Sequence, residues 1–87
     1  MDYIIHANNK DYIVTYHAAK RMFQRFIDEQ LVIETLEQGD LIEQSHGTDL
    51  YEYAIDIGDK VLILQVTVDE QERTIVSVID DTVAKDE

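Results

Sequence analysis

The sequence predicts an α+β fold: an N-terminal hairpin, two short helices, then an antiparallel sheet of three to four strands, with the helices packed on one face. Three observations carry this. Helical periodicity is confined to residues 15–39, two β-rich runs precede it, and alternating or apolar runs fill the chain after it.

The hairpin comes first. Tyr3, Ile4 and Ile5 face Tyr12, Ile13 and Val14 across the turn-forming pair Asn8-Asn9. In the first helix, Ala18, Ala19, Met22, Phe23 and Phe26 fall at i, i+1, i+4, i+5 and i+8, one apolar stripe at the 3.6-residue period. Lys20 and Gln24 lie opposite it. His17, Arg21 and Arg25 are spaced four apart and share one edge of the stripe. The second helix is punctuated by Asp28 as its cap, Glu29 at the positive end of its dipole and Gly39 as a left-handed stop. Ile27 is a hydrophobic staple, and Leu31, Val32, Leu36 and Ile33 are the buried side.

Residues 40–44 read as a short strand and residues 45–49 as a loop. Tyr51, Tyr53, Ile55 and Ile57 alternate with Glu52, Ala54 and Asp56, as in a half-buried strand. After a tight turn at Gly58-Asp59, residues 61–68 (VLILQVTV) read as the central strand, covered on both faces where the run is continuously apolar. A turn at residues 70–72 leads to the last strand at 74–79, and residues 82–87 read as a frayed tail. The expected core is Met22, Phe23, Phe26, Leu31, Leu36, Leu62, Leu64 and Val66.

Composition narrows the chemistry. Eighty-seven residues make one domain, 1–87, with its core within about residues 3–80. Without Cys there is no disulfide framework or thiolate metal site, and His6, His17 and His46 lack metal-ligand spacing. No phosphate-binding Gly loop or nucleophile elbow occurs, so no cofactor or metal is expected. No apolar run approaches membrane-spanning length and the N-terminus does not read as a signal peptide, so the expected location is cytoplasmic.

Nineteen acidic residues against seven basic ones give a net charge of −12, and residues 26–59 hold ten Asp and Glu but no Lys or Arg. Such a surface repels polyanions, which confines any nucleic-acid contact to Lys20, Arg21 and Arg25. Two readings of that cluster stand side by side. In one, the arginines and His17 grip an anion, with His46 as a second acid/base if its loop folds over the helix. In the other, the arginines pair with carboxylates such as Glu29, four residues beyond Arg25, and His17 starts a helix.

The segment YHAAKRMFQRFIDEQLVIETLEQGDLIE resembles domain-of-unknown-function family 4258, in which a His at a helix start is followed by Arg three or four residues on, another Arg, and a second helix ending in Gly. Ile75-Val76-Ser77-Val78 resembles the family's late hydrophobic strand carrying Thr and Val. The resemblance covers most of residues 12–80. The family is similar to the small RelE and barnase-like toxin fold, whose members include metal-independent ribonucleases. Carried over residue by residue, it implies a catalytic set of His17, Arg21, Arg25 and Ser77. His17 would act as acid or base, the arginines would hold the phosphate and Ser77 would orient it. The chain departs from the family in three ways: Phe26 stands where Gly is usual, Ser77 where Thr is usual, and the charge is far more acidic. Two functions follow. One is a metal-independent RNA-cleaving toxin or a degenerate relative, with RNA at the basic edge of helix one. The other is a non-catalytic acidic module that binds a basic or antitoxin-like protein partner.

Overall fold

A computed structural model of the chain describes residues 2–85. In order, the elements are β1 (Tyr3–Ala7), β2 (Lys10–Val14), α1 (Tyr16–Gln24), α2 (Glu29–Gln38), β3 (Asp40–Ser45), β4 (Thr48–Asp56), β5 (Lys60–Asp69), β6 (Thr74–Asp80) and β7 (Val83–Ala84). The class is α+β. The strands form one seven-stranded sheet in the order β1-β2-β6-β5-β4-β3, with β7 paired to β5.

The expectation of three to four sheet strands is therefore corrected: the hairpin is part of the sheet. β2 lies parallel to β6 through Ile13↔Thr74 and Val14↔Ile75, and the Ile13 N–H donates to the Arg73 carbonyl at 2.7 Å. The hairpin has an apolar face of its own (Ile5, Ala7, Tyr12, Val14), and joining the sheet buries that face in the common core. Everything between β2 and β6 acts as the long crossover that a parallel pairing requires.

The turns follow from residue chemistry. Asn8 (φ 55) and Asn9 (φ 62) both hold the left-handed conformation of a two-residue hairpin turn. His46 (φ 45) and Gly47 (φ 89) do the same between β3 and β4, which narrows the expected 45–49 loop to two residues. Residues 83–85 are also more ordered than expected. Val83 and Ala84 pair with Val61 and Lys60, and the Lys85 ammonium donates to the Asp56 carboxylate at 2.7 Å. That ammonium, with the Gly58 N–H, holds the Asp56 carboxyl below the usual carboxylate range. Residues 86 and 87 lie outside the described residues.

One face of the sheet carries the core. Leu64, Val66 and Val68 of β5 are buried together with Ile75 and Val78 of β6, and Ala18, Met22, Val32 and Leu36 cover them from the helices. Along β5 buried residues alternate with half-buried ones, so the central strand is covered on one face rather than on both. Leu31 and Leu62 are only half-buried.

The larger correction concerns helix one. Met22 is buried, but Phe23 is 84% exposed and Phe26 is 96% exposed, so neither belongs to the core. At about 100° per residue, Phe23 stands well round the helix from Met22, outside the narrow Ala18–Met22 strip that meets the sheet. Phe26 leaves the helical stripe altogether. The helix stops at Gln24, Arg25 is its C-cap, and Phe26 takes φ 56, with the Ile27 N–H closing back on the Met22 carbonyl at 2.9 Å. A left-handed residue at that position is normally Gly. Replacing Phe26 by Gly relieves the strain and sacrifices almost no buried surface, so Phe26→Gly is expected to stabilise the fold by about 0.5–1 kcal/mol. A denaturant melt showing a loss of stability would contradict this assignment.

Gly39 is required for a different reason from the one expected. Its backbone is extended (φ −75, ψ 172), not left-handed. A Cβ there would press on the Thr35 carbonyl oxygen and come within 2.7 Å of the Glu52 carbonyl oxygen. Gly at this position lets the end of α2 lie directly on β4. The Asp28 cap forms as read, accepting from the Gln30 N–H at 3.0 Å.

Tyr51 packs against the core and donates its hydroxyl to Glu70 at 3.3 Å. Burial, and then the Glu70 charge, push its pKa up to about 12, against 10.0 ordinarily. A phenol raised in the folded state favours folding fully while it is neutral in both states. That contribution is lost as pH climbs from about 10 to about 12. Stability is expected to fall over that window, and Tyr51→Phe should flatten the fall; melts across alkaline pH provide the check.

Candidate functional site

Two caps set the start of α1. The Thr15 hydroxyl accepts from the Ala18 N–H at 3.1 Å, and an Asp2 carboxylate oxygen accepts from the Tyr16 N–H at 2.7 Å. The helix thus begins directly after β2, with His17 in its first turn. Because β2 ends at Val14, its pairing with β6 stops at Ile75. Beyond that point the flank of β6 that faced β2 is left to α1.

A recess of about 190 Å³ opens there, lined by His17, Ala18, Arg21 and Arg25 from the helix and by Val76, Ser77, Val78 and Ile79 from the strand. All four residues singled out from the sequence (His17, Arg21, Arg25 and Ser77) border this one recess. Ala18 is small enough to let the helix approach the strand, and its burial fixes which side of α1 faces inward. No carboxylate is among the lining residues.

The arginines are free of ion pairs among the described residues. The expected Arg25–Glu29 pair does not form, because the helix ends between them: Arg25 has φ −104 and ψ 8, and α2 begins afresh at Glu29. Both cations lie at the C-terminal end of α1, where they also offset its negative dipole end.

The strand wall adds a group that side-chain reading does not reveal. The Asp81 N–H donates to the Ile63 carbonyl at 2.8 Å, so residue 81 faces β5. By the alternation of an antiparallel ladder, Ile79 and Ser77 also face β5, and the N–H and C=O of Val78 point to the edge that β2 has left. A main-chain donor on a free edge is a ready anion contact, and no residue type marks it in a sequence. Ser77 lies opposite Thr67, out of phase with the buried Val78, and is half-buried.

The other histidines are elsewhere. His6 pairs with Asp11 at 2.9 Å on the β1–β2 hairpin. His46 occupies the β3–β4 turn, whose Gly47 carbonyl accepts from the Glu70 N–H at 3.2 Å. His46 is thus held in a tight turn and does not fold over α1 as a second acid/base. Among the described residues no group of three or more His, Asp or Glu side chains could hold a metal ion, and no helix is long and apolar enough to cross a membrane.

Curated proteins and solved structures give no match to the chain. A family model does match: the domain of unknown function DUF4258, over residues 14–82, a span that contains α1, α2 and β3 to β6 and therefore the whole recess. The protein belongs to the DUF4258 family.

Proposed function

We propose that the recess between α1 and β6 binds an RNA phosphate and cleaves the chain without a metal ion. In this reaction the ribose 2′-oxygen attacks phosphorus and the bond to the 5′-oxygen breaks, which leaves a 2′,3′-cyclic phosphate and a 5′-hydroxyl. His17 carries one of the two proton transfers, and water in the open recess carries the other. Arg21 and Arg25 neutralise the charge that builds on the phosphoryl oxygens, with the Val78 N–H as a further donor and Ser77 at the rim. The observation that carries the reading is the meeting at one recess of an imidazole and two guanidinium groups, with no ion-pair partner and no lining carboxylate among the described residues, in a protein of charge −12. The resemblance of the family to RelE and barnase-like ribonucleases supports the same chemistry. Purified protein is expected to cut RNA equally well with and without EDTA, leaving cyclic phosphate ends. Intact RNA across several substrates would overturn the proposal.

A second reading, an acidic module for a basic protein partner, is favoured by β3. It is an edge strand exposed along its whole length, including Leu41 and Ile42, and its Asp40 lies directly opposite Glu52. Like charges opposed across a ladder are unfavourable until a cation joins them. On this reading, charge reversal at Asp40 and Glu43 should abolish partner binding while His17→Ala leaves it unchanged.

A further inference from the structure

The recess accounts for His17, Arg21 and Arg25 but leaves unexplained the two phenylalanines interleaved with them. Phe23 and Phe26 are the most exposed large apolar residues among those described. Phe26 is also strained, a side-chain-bearing residue in the left-handed region at φ 56. Nothing in the fold asks for a ring there. The bonds that close the helix are main-chain ones, Phe26 N–H to the Phe23 carbonyl at 3.3 Å and Ile27 N–H to the Met22 carbonyl at 2.9 Å, and Gly would make them at less strain. A backbone outlier combined with a ring left in water points to a use outside the fold.

The sequence around them indicates that use. Within seven residues, KRMFQRF, three cations and two exposed rings are interleaved, and those cations are three of only seven in the chain. Single-stranded nucleic acid is recognised by that combination: cations take the phosphates and an aromatic face takes an unpaired base. A duplex keeps its bases stacked inside and offers no ring a partner. An acidic protein segment would satisfy the cations and leave the rings without a role.

We propose that Phe26, next in the chain to Arg25 at the mouth of the recess, is a base-stacking platform, and that the ligand is single-stranded RNA carrying an unpaired base next to the held phosphate. This rests on the phosphate-binding role proposed for the recess. The left-handed turn at Phe26 breaks the helix there and leaves the ring almost wholly in solvent, and the strain is the cost of that placement.

Fluorescence anisotropy with uncleavable 2′-O-methyl octauridylate tests it, alongside an abasic oligomer of equal length and charge and a duplex. Wild-type protein is expected to bind the octauridylate most tightly. Phe26→Gly should weaken that binding roughly 5- to 100-fold with a melting temperature equal to or above wild type, and Phe26→Trp should retain it. A merely structural Phe26 would show the opposite coupling, with binding following stability. Equal binding of the octauridylate by Phe26→Gly and wild type, or equal affinity of wild type for the abasic oligomer, would overturn the platform. If the platform is overturned in either way but Arg21→Ala or Arg25→Ala weakens binding of the abasic oligomer, the phosphate-binding recess stands without it. If no oligomer binds, both proposals fall.

Discussion

His17→Ala is expected to slow metal-independent RNA cleavage by about 10²–10⁴-fold, the usual cost of losing a positioned general acid or base. His17 is the only histidine bordering the recess, so no neighbouring imidazole can substitute for it. Arg25→Ala should cost about 10²–10³-fold, as when one donor to a developing oxyanion is removed. Arg25→Lys should recover only part of that, because a point charge lacks the guanidinium fork. His6→Ala and His46→Ala are the internal controls: one sits on the hairpin and the other in the β3–β4 turn, and both variants should cleave at the wild-type rate. A cleavage rate that is the same for His17→Ala as for wild type would point to a contaminating nuclease and end the assignment.

Leu64→Ala is expected to destabilise the fold by about 2–5 kcal/mol. Leu64 is almost wholly buried on the covered face of β5, so truncation removes apolar contacts and leaves a cavity beneath the helices. For a domain of this size that is a large share of a total stability of about 5–15 kcal/mol. Phe26→Ala, at a residue almost wholly in water, should change stability by less than about 0.5 kcal/mol. Denaturant melts of the two variants side by side are the check. A loss below about 1 kcal/mol at Leu64 would mean that the helices do not close over β5.

Strands β1 to β6, the two helices and the Asp28 cap were legible in the sequence because each depends on neighbours within a few residues. The period of two in β4, the period of 3.6 in α1, the Asn8-Asn9 turn and the Asp28 cap are local effects. The spacing of His17, Arg21 and Arg25 was equally plain, since three residues four apart on one helix share an edge wherever that helix packs. What that edge faces is a tertiary matter. The recess exists because β2 ends at Val14 beside β6, a pairing between residues about sixty apart that no local pattern announces. The same holds for the Val78 N–H, left open only because β2 stops.

Phe23 and Phe26 mark the boundary most clearly. By periodicity they continue the apolar stripe, and hydrophobicity alone would bury them. The structure ends the helix at Gln24, two residues before Phe26, and brings it to the sheet along Ala18 and Met22, so both rings are left in water. Periodicity shows which residues share a side of a helix. How wide a strip of that side is covered depends on the surface it meets, and where α1 packs along β6 only Ala18 and Met22 of the helix are buried, with the rings beside them left out.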